Sequence, residues 1–131
     1  MTVYKLSPTD EELAALAARI PEGPIVIINL LKFQPDGGRE AYARYMESAR
    51  GASHPEIEIL HAGSVSADVG GGEDWDYSII ARYPRFADFM SVVTSEAWRA
   101  ADVHRHKALE RTVMIVSPVE SLSGMAAHAP E

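Results

Sequence analysis

The chain has no cysteine, which removes disulfides, thiolate nucleophiles and Cys-ligated metals from consideration together. Basic residues are scarce as well. With 12 Lys+Arg against 19 Asp+Glu, a formal charge of −7 and no basic run, a surface that tracks nucleic-acid phosphates is not expected. No apolar run approaches bilayer-spanning length, and Met1-Thr2-Val3-Tyr4-Lys5-Leu6 lacks the apolar centre of a signal peptide. A cytoplasmic location with no membrane partner is the expectation. What remains is 131 residues with 47% hydrophobic and 24% charged content, the composition of one folded domain.

That domain is organised around Ile25-Val26-Ile27-Ile28-Asn29-Leu30-Leu31-Lys32-Phe33, introduced by Pro24. The run is apolar except at Asn29 and Lys32, and β-branched residues crowd its first half, so it reads as a buried central strand. Alternation sets Ile25, Ile27, Leu31 and Phe33 on one face and Val26, Ile28 and Leu30 on the other, and both faces need cover. Asn29 and Lys32 are the polar residues, one on each face.

Ahead of the strand, Thr9 and Glu12 have capping-box spacing. Leu13, Leu16, Ala17 and Ile20 follow at helical intervals, predicting about three turns of amphipathic helix that end before Pro21-Glu22-Gly23-Pro24. After the strand, Gln34-Pro35-Asp36-Gly37-Gly38 predicts a turn, and Arg39 to Ala52 a helix with Tyr42, Tyr45, Met46 and Ala49 on one stripe. A second strand is expected over Glu56 to Ser66 and a third over Trp75 to Tyr83. The loop between them holds Gly70-Gly71-Gly72, which opens no helix and brings no Lys-Ser/Thr, so a flexible hairpin connection accounts for it better than a phosphate cradle. Phe86, Phe89, Met90 and Val93 form the stripe of a further helical region. Ser95 caps a helix over Glu96 to about Glu110, and Arg111 to Ser117 is a last strand, apolar on both faces. The organisation is an N-terminal helical extension over 1–23, a domain over 24–118 and a tail over 119–131 that frays or docks weakly.

The order β-α-β-β-α-β is an α+β, ferredoxin-like pattern in which right-handed crossovers place both main helices on one face of an antiparallel sheet. Because the first and last strands are apolar on both sides, the open face calls for a second copy of the chain, and a homodimer through that face is expected.

Ile28-Asn29-Leu30-Leu31-Lys32-Phe33, Tyr42-Ala43-Arg44-Tyr45, Trp75-Asp76, Arg82-Tyr83-Pro84 with Phe89, His104-Arg105 and Leu109-Glu110-Arg111-Thr112 stand in an order that resembles the DUF1330 family. That family belongs to the dimeric α+β barrel superfamily, and the resemblance covers about Val26 to Val116. It implies subunits whose sheets pair into a barrel. It does not imply one activity, since the superfamily contains cofactor-free monooxygenases, isomerases, haem-binding enzymes and proteins without known catalysis. The leading helix and the glycine loop depart from the plainest family pattern.

Candidate site residues follow from polar groups in apolar settings. Asn29 either hydrogen-bonds its neighbours or lines a polar cavity between sheet and helices. Lys32 either lays its stem on apolar surface with its ammonium in water or binds an anion. Tyr42 and Tyr45 bring hydroxyls to a buried stripe. His104, between Ala101 and Ala108, is either a proton-transfer group at a cavity wall or a packed histidine. Arg105 either clamps a ligand carboxylate or holds a structural acid such as Asp76. His106 points about 200° away from His104 on a regular helix, so the two cannot share a metal. His61 shares a strand face with Ile57 and Ile59, and convergence with Asn29 and His104 follows if that face meets the helices. Trp75 and Arg82 complete the candidate ligand-binding set. No cofactor and no metal are expected.

Two functions are compatible with this set. One is a cofactor-independent oxygenase or isomerase acting on a small apolar or aromatic compound, with His104 and Asn29 catalytic. The other is a non-catalytic small-ligand-binding or structural homodimer.

Overall fold

The computed structural model describes residues 6–120. Helix α1, Asp10–Ala17, starts as its capping box dictates: Thr9 Oγ1 accepts from the Glu12 N–H at 3.1 Å, and Glu12 Oε1 accepts from the Thr9 N–H at 2.9 Å. At eight residues it is nearer two turns than the three expected, and Leu13 is its buried anchor. The central strand β1, Ile25–Phe33, pairs antiparallel with β3, Tyr77–Tyr83, on one side and β4, Leu109–Pro118, on the other. Strand β2, Glu58–Ser64, pairs with β3, and the sheet order is β2-β3-β1-β4. Helices α2, Gly38–Ala49, α3, Phe86–Val93, and α4, Glu96–Ala108, complete the element order, with one 3-10 turn, Arg50–Ala52, after α2. This is the ferredoxin-like arrangement.

The period-2 reading of β1 holds: Ile25, Ile27, Leu31 and Phe33 are buried against the helices, whereas Val26, Ile28, Leu30 and Lys32 are only partly covered. The helix-side core has two clusters. One gathers Ile25, Ile27, Ala81, Tyr83, Phe89 and Val93; the other gathers Leu31, Phe33, Tyr42, Ile79, Ala108 and Leu109. On the opposite face, register places Ile28 between Ile80 and Ile115, and Leu30 between Ser78 and Val113, an apolar surface bounded by polar side chains.

Two local features depart from expectation. Helix α4 ends at Ala108 and Leu109 takes extended backbone at once, so β4 begins two residues before Arg111, with no connecting loop. The Gln34 N–H donates to the Ala108 carbonyl at 2.8 Å, which supplies the helix end with a partner from the β1–α2 turn. Gly38 sits against the same carbonyl, where a Cβ would lie 2.7 Å from the oxygen, so this close approach requires glycine. The second departure is the glycine loop. Asp68 accepts from the backbone N–H groups of Gly70, Gly72 and Glu73, and these bonds organise the loop and hold the Asp68 carboxyl below its usual range.

The expected tail, from Ser121 onward, lies outside the described residues. Among the described residues no helix is long and apolar enough to cross a membrane.

Candidate functional site

A cavity of about 320 Å³ lies where the two core clusters meet, between the helix side of the sheet and helices α2, α3 and α4. Its walls are mostly apolar, with Ile27, Ile79, Ala81, Phe89, Val93 and Met114 among them, and its polar contributors include Asn29, Tyr42, Tyr45 and Arg105. Volume and mixed lining both match small-molecule sites.

Each polar group reaches the cavity for a local reason. Asn29 lies on the buried face of β1, opposite Ile79 on β3 and Met114 on β4, and its Nδ2 donates only a long 3.5 Å bond to the Ile79 carbonyl. Tyr42 and Tyr45, one turn apart on α2, meet at a tilt, with ring centroids 5.1 Å apart and ring planes at 56°. The Trp98 indole N–H donates to the Tyr45 hydroxyl at 3.1 Å. Burial pushes the Tyr42 and Tyr45 phenols up, with the nearby Arg105 cation pulling the other way, and burial pushes Tyr83 up to about 12. At neutral pH these phenols therefore keep their protons and can donate hydrogen bonds.

Arg105 belongs to the buried stripe of α4, with Trp98, Ala101 and Ala108. Its side chain is 3% exposed. Nη1 donates to Ser7 Oγ at 3.0 Å and to Asp102 Oδ1 at 3.2 Å, and the guanidinium carbon lies 6.0 Å from the Trp98 ring centroid. The other Asp102 oxygen accepts from Ser7 Oγ at 2.8 Å and lies 3.2 Å from His106 Nε2, so Ser7 and His106 close a small polar network around this acid.

The other predicted residues lie elsewhere. His61 is the clearest correction: the register of β2 on β3 shifts between Ile59 and His61, a bulge that turns His61 away from the Ile59 face. It pairs with Ile80 and lies 3.2 Å from Ser78 Oγ on the open face, so it does not converge with Asn29. Lys32 also lies on the open face. Burial would lower its pKa, but hydrogen bonds to Asp74 and Asp76 override this and raise it. Its ammonium sits 3.3 Å from Asp74 and 3.4 Å from Asp76, so Asp76 is the partner of Lys32 and of the Phe33 N–H, not of Arg105. Trp75 lies under Arg111, 4.5 Å from ring centroid to guanidinium carbon, and Arg82 is 3.7 Å from Glu58 across the β2–β3 pair. His104 is partly buried but is not among the residues lining the cavity, because the α4 stripe is centred one position further on, at Arg105. His106 is half exposed.

The residues that sequence reasoning passed over are Asp102 and Ser7. The i,i+3 spacing of Asp102 and Arg105 is a readable signal. The Ser7 contact, from the far end of the chain, leaves none.

Comparison with known proteins supports the fold and one relationship. No family model matches the chain, and no curated protein does. Among solved structures, a dimeric ferredoxin-like protein of unknown function from Jannaschia sp. CCS1 has a TM-score of 0.64 at 12% identity, over 74% of this chain and 100% of that one. An antibiotic biosynthesis monooxygenase, so described provisionally, from Caulobacter crescentus CB15 has a TM-score of 0.59 at 15% identity, over 82% and 99%. At these identities the likeness concerns the fold alone. RPA0582, a protein of unknown function from Rhodopseudomonas palustris, is nearer, with a TM-score of 0.78 at 28% identity over 91% of this chain and all of that one. Its methylated form gives 0.79 at 30% identity over 92% and 99%. The chain belongs to the same family as RPA0582.

Proposed function

We propose that this chain is a homodimeric small-molecule-binding protein that holds an apolar, ring-bearing compound in the cavity between sheet and helices. The observation that carries the reading is the cavity itself, apolar over most of its wall and edged by the Asn29 amide and the Tyr42 and Tyr45 hydroxyls. The order of its motifs and the ferredoxin-like fold support DUF1330 as the broader grouping.

Catalysis by a cofactor-independent oxygenase or isomerase needs a group that takes a proton from the bound compound. Among the described residues the cavity lining contains no Asp, Glu, His or Lys, and its buried phenols hold their protons more tightly than free tyrosine. Binding is therefore favoured over proton abstraction, with Asn29 as a hydrogen-bonding group and His104 outside the wall. Toluene, indole and 2-naphthol are suitable uncharged probes. Saturable change in Trp98 emission in a Trp75→Phe background, with a rise in melting temperature of several degrees, is the expected result. If none of the probes changes either signal, the binding reading fails.

The dimer is proposed on the open sheet face. Val26, Ile28, Leu30, Ile80, Val113 and Ile115 form a strip there, and Ile115 is 47% exposed in the single chain. Sedimentation equilibrium at micromolar concentration should give a dimer, and Ile115→Glu should shift it to the 14.3 kDa monomer while leaving the circular dichroism spectrum unchanged. A parent chain that sediments as a monomer rules out the assembly.

A further inference from the structure

Among the described residues, Arg105 Nη2 is the one buried side-chain nitrogen or oxygen atom with no hydrogen-bond partner. Its surroundings explain why the protein itself leaves it so. Asp102 engages the guanidinium through Nη1 alone, and its second oxygen is turned toward Ser7 and His106, so the forked pairing that would satisfy both terminal nitrogens is not made. A buried cationic N–H without an acceptor is costly and calls for a partner.

The polar side chains of the cavity that Arg105 lines can all donate, Arg50 and Arg105 as cations and Asn29, Ser53 and the tyrosines as neutral groups. The Tyr45 oxygen already accepts from Trp98, which leaves its O–H to donate, and the Tyr42 hydroxyl has no hydrogen-bond partner among the described residues. The Arg105 charge acts on both phenols, partly offset by that of its partner Asp102, which places these groups in one electrostatic neighbourhood. Asn29 Nδ2 adds a further donor, poorly used at 3.5 Å. The complement of such a wall is a group that only accepts. An ionised carboxylate is that group: it has two oxygens, carries the charge opposite to Arg105, and accepts several hydrogen bonds at once.

We propose that the cavity takes an apolar monocarboxylate, with its carboxylate on Arg105 Nη2 and the Tyr42 and Tyr45 hydroxyls and its hydrocarbon part against Ile27, Ile79 and Phe89. This rests on the binding reading above and adds the chemical class of the ligand. Among the described residues no carboxylate lines the cavity, and Asp102, the acid whose charge reaches both phenols, is paired with Arg105 Nη1.

The test uses the full chain and matched pairs of probes: phenylacetate with phenylacetamide, and hexanoate with hexanamide, titrated by calorimetry at neutral pH. Each carboxylate is expected to bind at least about tenfold more tightly than its amide. Tyr42→Phe, which removes a hydroxyl without leaving a protein partner unpaired, should weaken the acids more than the amides and so narrow that ratio severalfold. Amides that bind as well as the acids overturn the anion assignment and leave cavity binding standing. Failure of all four probes, with the uncharged aromatic compounds still bound, overturns the assignment as well. If neither set binds, the cavity reading falls with it.

Discussion

Asp102→Ala is expected to lower the unfolding free energy by about 3–5 kcal/mol, the range seen when one partner of a buried ion pair is removed. The Arg105 side chain is 3% exposed and that of Asp102 13%, so water cannot simply replace the lost carboxylate. The truncation strands a buried cation whose second terminal nitrogen is already without a partner, and it also removes the acceptor of the Ser7 hydroxyl. Chemical denaturation of the parent and variant measures the loss. The double variant Asp102→Ala/Arg105→Leu should recover part of it, because an apolar side chain no longer needs a counter-charge. A loss below about 1 kcal/mol for Asp102→Ala would mean that solvent reaches the pair, since exposed pairs are worth no more than that.

Leu31→Ala should cost about 2–5 kcal/mol, the usual range for emptying a closed core position. Leu31 is 1% exposed and packs in the cluster that joins β1 to the α4–β4 junction through Ala108 and Leu109. Leu60, 50% exposed at the irregularity in β2, provides the internal comparison, and its replacement by alanine should change stability by no more than about 0.5 kcal/mol. Thermal or urea unfolding of both variants checks the contrast. Equal losses at the two positions would contradict the packing described here.

Much of this architecture can be read from the sequence because it rests on periodicity. The nine residues of β1 alternate as their pattern predicts, and the Thr9–Glu12 box starts α1 where the spacing places it. Readings failed where one residue changes the phase. The irregularity near Leu60 inverts every later side chain of β2, and period-2 counting from Ile57 therefore assigned His61 to the wrong face. On α4 the small residues Ala101 and Ala108 drew the buried line through His104, whereas the large Trp98 side chain shares the buried stripe with Arg105. Asp76 was readable as a structural acid, but not as the partner of Lys32. That pairing depends on how the chain turns before β3, and it links residues 44 apart. Tyr42, Tyr45, Asn29 and Arg105 were recoverable as polar residues on apolar stripes. The incomplete bonding of Arg105 was not, because it depends on which oxygen of Asp102 faces Ser7.

The passage from α4 to β4 limits how this chain can vary in length. With Leu109 serving as both helix cap and first strand residue, and the Ala108 carbonyl held by Gln34 and pressed by Gly38, one inserted residue at that point would rotate Arg105 out of its stripe or slip β4 against β1. The exposed tip of the β2–β3 connection, around Val69, carries no such double duty, unlike residues 73–76, whose acids hold Arg111, Lys32 and the Phe33 N–H. It is the place where a reporter loop or an epitope can be grafted while the helix and strand beside the cavity stay in phase.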